Sequence, residues 1–347
     1  MSSVHDNLEM AKVRLCDEFY TSYEDIANEI DLYFDRDPDV FRGKTILCPC
    51  DDPDISQFTK YFLDNFDRFG MKMLISTSYA REGCQPSLSD FLNGELKGAR
   101  GKYLIRDDSG IRRGLLNGTG DFRSGEICGY RDESDIIVTN PPFSLFREFF
   151  RWLSDKRFII MGNMTAISYM DSFPRIVSGE MWLGHSIHGE KQGFIVPDGT
   201  PMFASKISSS ENKIFVKGVR WFTNVGSPFV PDPISLRTMA DNLMDNKRLR
   251  NAFMREYGVL EYPRYENFDA IEVPFVECIP SDYEGMMGVP ISFLDKYNPE
   301  QFRLLGITAR WFENPAEGIK AQHHPIVRVG DKRISKYARL LIKRVCR

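Results

Sequence analysis

Short apolar runs alternate with amphipathic stretches through the first half of the chain. Residues 44–48 (KTILC) form an apolar run of strand length, and residues 72–76 (KMLIS) form another. Between them Ile55, Phe58, Phe62, Phe66 and Phe69 recur at intervals of 3, 4, 4 and 3, the spacing of one helix face. This predicts a helix from Pro53 to Phe69, with Asp52 as N-cap, Pro53 in the first turn and Gly70 as the stop. Strand, helix and strand together read as a βαβ unit with parallel strands. The order returns with DIIVT (135–139), SLFREFFRWLSD (144–155) and RFIIM (157–161). In that second helix Leu145, Phe149, Trp152 and Leu153 share a face, and Phe146, Phe149 and Phe150 read as core. The pattern predicts an α/β sheet with helices on both faces.

Between Ser87 and Arg131 the pattern fades, and glycines at 94, 98, 101, 110, 114, 118, 120, 125 and 129 predict an irregular stretch over the sheet. Beyond residue 180, MWLG, GFIVP and KIFVKGVRWFTN are short runs rich in aromatic and β-branched residues, which suit strands. SPFVPDPIS (227–235) is a proline-rich break, so the expected division is 1–225 and 226–347. Residues 237–256 read as helical and carry Arg237, Lys247, Arg248, Arg250 and Arg255. The last sixteen residues hold seven basic side chains and no acidic one; they suit phosphate contacts or plain solvation equally.

Composition narrows the class. With 45 Lys+Arg against 49 Asp+Glu, the net charge of −4 excludes a uniformly basic nucleic-acid coat but leaves room for a local basic face. Seven scattered cysteines without a CxxC pair fit a reduced protein. No apolar stretch reaches signal-peptide or membrane-span length, so a cytoplasmic protein without a membrane partner is expected. Cys48 and Cys50 supply two ligands where a structural zinc site wants four, so no metal is expected. His323-His324, beside Pro325, reads as a solvated loop.

The sharpest chemical feature is Asn140-Pro141-Pro142-Phe143, between the DIIVT run and a helix. Open α/β sheets place their ligand sites there, at the carboxyl ends of strands. A bare Asn-Pro-Pro is also a common turn, and only its context raises it above that. An exocyclic amine on adenine is a poor nucleophile because its lone pair is delocalised into the ring. Two acceptors aimed at its N–H bonds, the Asn140 side-chain oxygen and the Pro141 carbonyl, would localise that lone pair. Tandem prolines fix two φ angles and remove two donors, so the carbonyl is available to a ligand. Phe143 adds a face on which a base drawn from a duplex stacks. Positioning and electrostatics supply most of the rate in such a site, and neither a metal nor a separate base is needed to begin.

NPPF is the catalytic motif of amino-methyltransferases that use S-adenosylmethionine, and DIIVTNPPFSLFREFF (135–150) resembles the EcoRI-type adenine-specific DNA methyltransferases. DEFYT (17–21), CPCDDP (48–53), GDFRS (120–124), GFIVP (193–197), WFTN (221–224) and DYEGMMGVPISFLDKYNPEQF (282–302) are similar to that family in the same order, over about residues 15–305. The resemblance implies a Rossmann-like class I methyltransferase sheet followed by a C-terminal target-recognition region, with 1–225 binding cofactor and 226–347 reading DNA. It implies methyl transfer from S-adenosyl-L-methionine to N6 of a flipped adenine in double-stranded DNA. A monomer is expected, and a cognate restriction endonuclease, where there is one, acts separately.

The resemblance also distributes roles. Asn140, Pro141, Pro142 and Phe143 are the catalytic segment. Phe19, Tyr20 and Thr21 lie near the methionine end of the cofactor, Cys48, Cys50 and Asp51 lie in its main loop, and Asp121 with Phe122 meets its adenine. Trp221 or Phe222 flanks the target base, and Arg248 and Arg250 touch DNA through phosphates or guanine edges. Two departures stand out: CPCDDP contains no glycine, and ISTSYA offers no acidic residue after the second strand to hold a ribose. Asp51 or Asp52 could serve either role. The rival readings are the same chemistry on RNA or a protein glutamine, and a methyltransferase fold that binds nucleic acid without turnover. A nicotinamide dehydrogenase is disfavoured because no GxGxxG follows the first strand.

Overall fold

Because β-strands alternate their side chains between two faces, the buried strands at the centre of this protein must be covered twice. The computed structural model describes residues 21–80, 99–187, 192–195, 207–208, 213–216, 218–308, 313–314, 319–320 and 324–345. The chain forms two compact units, Met1–Asn163 with Trp182–Pro228, and Met164–Met181 with Phe229–Arg347.

The first unit is built on an eight-stranded sheet. Its strands are β1 (Thr45–Cys48), β2 (Met73–Thr77), β3 (Lys102–Asp107), β4 (Gly110–Leu115), β5 (Ile136–Thr139), β6 (Arg157–Asn163), β7 (Trp182–Leu183) and β11 (Val219–Thr223). Their order is β4-β3-β2-β1-β5-β6-β11-β7. Strands β2, β1, β5 and β6 run parallel, and the flanking pairs β2/β3, β3/β4, β6/β11 and β11/β7 are antiparallel. Strands β8 (Gln192–Ile195), β9 (Ile207–Ser208) and β10 (Lys213–Val216) form a separate three-stranded sheet in the order β8-β10-β9.

The helices follow the hydrophobic period. Helix α1 (Tyr23–Arg36) buries Ile26, Ile30 and Tyr33, and α2 (Gln57–Asp64) buries Phe58, Tyr61 and Phe62. Both join one core cluster with Ile46, Leu74, Val138, Met161 and Trp221 of the strands. The expected helix 53–69 is in fact α2 followed by a short α3 (Phe66–Phe69), separated at Asn65. Its N-cap is Ser56, whose hydroxyl accepts from the Phe58 and Thr59 amides, while Asp52 closes a turn by accepting from the Asp54 amide. Ile55 therefore lies outside the helix and is exposed. Gly70 does end the element, in the left-handed conformation at φ 59° that a residue without Cβ adopts readily.

The stretch 87–131, expected to be irregular, holds the β3–β4 hairpin and α4 (Gly125–Glu133). Strand β4 (GIRRGL) is an edge strand with two arginines and no clean alternation, so period 2 could not reveal it. The helix after NPPF opens with a 3-10 turn, Phe143–Leu145, and continues as α5 (Phe146–Trp152). Phe146, Phe149 and Phe150 are buried, as their spacing predicts.

In the second unit, α6 (Phe173–Val177), α7 (Met239–Asp245) and α8 (Lys247–Tyr257) accompany a four-stranded sheet of order β12-β13-β19-β14. Its strands are β12 (Ala270–Glu272), β13 (Met286–Pro290), β14 (Phe302–Ile307) and β19 (Arg339–Arg344), and two hairpins, β15 (Glu313–Asn314) with β16 (Ile319–Lys320) and β17 (Ile326–Val329) with β18 (Lys332–Ser335), complete the unit. Asn246 divides the predicted helix 237–256 by capping the Leu249 amide. No described helix is long and apolar enough to cross a membrane.

Candidate active site

The strand order reverses direction between β1 and β5: the chain leaves β1 toward β2 and returns to pair β5 on its other side. Such a switch point is where open sheets bind ligands, at the carboxyl ends of the strands. Cys48 ends β1, Thr77 ends β2 and Thr139 ends β5, so CPCDDP and NPPF leave adjacent strands at this point.

Asp51 ties the three ends together. Its amide donates to the Thr77 carbonyl at 2.9 Å, and its carbonyl accepts from the Ser76 hydroxyl at 2.7 Å. Its carboxylate accepts from Thr139 Oγ1 at 2.6 Å and from Ser56 Oγ at 2.7 Å. The Thr59 and Ser76 hydroxyls are 2.6 Å apart, and Thr77 Oγ1 donates to the Pro49 carbonyl. Asp51 is buried, and that burial raises its carboxyl to about 6 against the pull of its two hydroxyl donors. Both carboxylate oxygens are thus occupied within the fold. Asp51 braces the NPPF segment through Thr139, the residue before Asn140. The sequence gives a faint sign of this in the hydroxyls that close apolar runs, Thr139 in DIIVT and Ser76-Thr77-Ser78 after KMLI. Cys48 is fully buried, its thiol pushed well up by desolvation, and Cys50 is half-buried.

GDFRS reaches the same place from the hairpin. The Ala80 amide donates to the Thr119 carbonyl, and a Cβ on Gly120 (φ 82°) or on Gly101 would collide with the Ser78 carbonyl. Glycine is therefore required at both positions for the loop to lie against the end of β2. Asp121 holds the Arg123 side chain through two hydrogen bonds, 2.9 and 2.7 Å, and Arg123 keeps its carboxyl below the usual range. Arg123 also donates to Glu148 of α5 at 3.0 Å. Phe122 is buried against Phe149 and Trp152, with ring centroids 5.2 and 5.7 Å away. Its ring thus belongs to the core and anchors the loop onto the helix that follows NPPF.

Within NPPF, Pro141 is buried and Asn140, Pro142 and Phe143 are half-buried. The Pro142 carbonyl accepts from the Leu145 amide and closes the 3-10 turn. The ring of Phe143 packs in part against the core cluster.

Residues 7–345 match the family described as adenine-specific methyltransferase EcoRI. The chain belongs to this methyltransferase family. It is 40% identical to Type II methyltransferase M.EcoRI of Escherichia coli over 311 residues, covering 86% of this chain and 88% of that protein. It is 31% identical to Type II methyltransferase M.MpnI of Mycoplasma pneumoniae over 345 residues, 96% of each chain, and 30% identical to M.MgeORF184P of Mycoplasma genitalium over 346 residues. No solved structure matches the chain significantly. The protein is accordingly an enzyme, an adenine-specific DNA methyltransferase.

The remaining candidates of the methyltransferase are dispersed. Phe19 and Tyr20 lie outside the described residues. Thr21 is buried, and its hydroxyl meets the Met161 sulfur at 3.1 Å on β6. Trp221 and Phe222, neighbours on β11, face opposite sides of the sheet and are each 1% exposed. Trp221 packs on Phe58 of α2, and Phe222 on Phe146 of α5. Neither ring is open to a base in this structure; an aromatic pair on a strand covered on both faces serves the core first. Arg250 is bound to the end of α7, donating to the Leu243 carbonyl at 3.1 Å and to that of Met244. Arg248 stays exposed, 3.9 Å over the Phe275 ring and paired with Glu277 at 3.0 Å.

Part of the C-terminal basic run is paired within its own unit. Arg333 pairs with Glu266, Lys336 with Glu256, and Arg339 with the fully buried Glu272, while Arg344 donates to the Ser281 carbonyl. Leu340, Leu341 and Ile342 are all buried, because β19 lies between two strands and is covered on both faces. His324 is half-buried with its Nδ1 enclosed, so this member of the histidine pair is not fully solvated.

Proposed function

We propose that this enzyme methylates N6 of a flipped adenine in double-stranded DNA, using S-adenosyl-L-methionine, through a class I methyltransferase arrangement of its first unit. The observation that carries the reading is the emergence of Asn140-Pro141-Pro142-Phe143 at the carboxyl end of β5, beside the end of β1, where the strand order reverses. The four parallel strands beside the antiparallel β11 support the fold assignment. Residues 226–347 are the proposed target-recognition region, and a cytoplasmic monomer is the form in which the enzyme meets DNA.

The residues at the switch point suit an adenosyl cofactor. The close approach of Gly101 and Gly120 to the Ser78 carbonyl sets the Asp121 loop against the end of β2, and Asp121, held ionised by Arg123, is an acceptor suited to an exocyclic amine. The cofactor supplies an electrophilic sulfonium methyl group. The side-chain oxygen of Asn140 and the carbonyl of Pro141 accept the two N–H bonds of the target amine and localise its lone pair. Phe143 holds the extruded base by its face. Pro141 and Pro142 keep the backbone from spending donors on itself. Thr139, fixed by Asp51, sets where Asn140 begins. Phe122 acts as the anchor of the Asp121 loop, with no stacking role assigned to it.

The test is methyl transfer from tritiated S-adenosylmethionine to genomic DNA, with total RNA and bulk protein as parallel acceptors and mass spectrometry of the modified nucleoside. N6-methyladenine in DNA alone is the expected product. Label in RNA or protein would retain the chemistry and overturn the substrate.

A further inference from the structure

Helix α8 has one buried and one exposed face. Leu249, Ala252, Phe253 and Tyr257 pack inward, and Lys247, Arg248, Asn251 and Arg255 fall within about a 100° arc at 3.6 residues per turn. These four line an open cleft of about 520 Å3 together with Ala252 and Phe275, and no acidic side chain lines it. In a chain of net charge −4, three cations around one polar amide are a local reversal of sign.

The partners of these residues divide them further. Arg250, one position from the cleft, is spent on the carbonyls that end α7. Arg248 sits 3.9 Å over the Phe275 ring and is paired with Glu277, which fixes its guanidinium. Among the described residues Arg255 pairs with its neighbour Glu256, at 3.4 Å, with its side chain 78% exposed. Among the described residues, Lys247 and Asn251 make no ion pair or side-chain hydrogen bond. A single helix bearing an amide between two outward cations matches the chemistry of a duplex groove: phosphates on the rims and donor–acceptor edges on the floor. From Lys247 to Arg255 the face is about 12 Å long, within what the major groove admits.

We propose that the exposed face of α8 is the duplex-reading surface of this enzyme, with Lys247 and Arg255 on phosphates and Asn251 on a base edge. The proposal rests on double-stranded DNA being the substrate. Asn251 then is a specificity-determining residue, and Arg248 a fixed cation that orients the backbone beside it.

Full-length wild type, Lys247→Ala/Arg255→Ala and Asn251→Ala proteins are to be titrated with a short fluorescein-labelled duplex across a series of salt concentrations. Cofactor affinity is read in parallel by calorimetry, and methylated positions are mapped in unmethylated genomic DNA. The double variant should lower the slope of log affinity against log salt by about 2, one phosphate contact for each cation, with cofactor affinity within two-fold of wild type. Asn251→Ala should keep the slope and lose discrimination at one base position on the order of tenfold. A wild-type slope in the double variant, and again in Lys247→Glu/Arg255→Glu, overturns the phosphate contacts; unchanged site choice in Asn251→Ala overturns the base contact. Failure of the wild-type protein itself to bind or methylate the duplex would instead overturn the functional reading.

Discussion

Asp51→Asn separates the electrostatics of the switch point from its hydrogen bonds. In the folded protein the Asp51 carboxyl titrates at about 6, against an ordinary value of 3.8, because it is buried. Two units correspond to about 3 kcal/mol between its protonated and ionised forms. A pKa raised on folding means that the native state binds the proton more tightly. The stability this contributes is fully present below pH 3.8 and is lost as pH rises through 6. Wild type should therefore gain about 2 kcal/mol from this residue on passing from about pH 7.5 to about pH 4.5, and the variant should gain nothing there. Burial pushes the Cys48 thiol well up, so it stays neutral throughout. The asparagine oxygen can still accept from Thr139, but its amide would face the Ser56 hydroxyl that now donates, which adds a pH-independent cost of about 1 kcal/mol. The assay is urea unfolding of both proteins across that range, followed by tryptophan fluorescence, since three of the four tryptophans, Trp152, Trp182 and Trp221, belong to the first unit. The stability of the variant relative to wild type should rise by about 2 kcal/mol from the acid to the neutral end. Parallel curves would refute the argument that Asp51 is carried into the fold as a desolvated carboxyl.

Asn140→Ala should abolish methyl transfer while calorimetry finds S-adenosylmethionine affinity within a few-fold of wild type; near-normal turnover would remove Asn140 from the chemistry. Gly120→Ala should cost about 1–3 kcal/mol for the backbone conformation alone, beyond the collision with Ser78, and should weaken cofactor binding in calorimetry. Arg339→Ala leaves Glu272 buried and unpaired, so chemical denaturation should show a loss of about 3–5 kcal/mol. Glu29→Ala should also destabilise strongly, by about 3 kcal/mol or more, because this fully buried carboxylate accepts from Tyr33, from the His185 amide and from both the amide and hydroxyl of Ser186.

Local pattern by itself determined the central strands, because a strand buried on both faces must be apolar at consecutive positions, and KTILC, KMLIS, DIIVT and RFIIM can be little else. It also determined the place of NPPF, since a tandem proline after such a strand has to be a loop at its carboxyl end. What pattern could not determine was which polar side chains meet. The β3–β4 hairpin was hidden because an edge strand exposed to water carries no alternation, and Ser56 displaced Asp52 as the cap because the turn consumed the aspartate. Trp221 and Phe222 looked like base-stacking residues until their strand was placed inside the sheet. Arg250 looked like a contact for DNA until the carbonyls that end α7 claimed it. Short-range periodicity records how much of a residue is buried, whereas the partner of a charge or hydroxyl is chosen by segments far away in the chain. That is why Asp51, Thr139 and Ser56 became one hydrogen-bonded unit, and why Arg248 found Phe275 and Glu277, only in the tertiary structure.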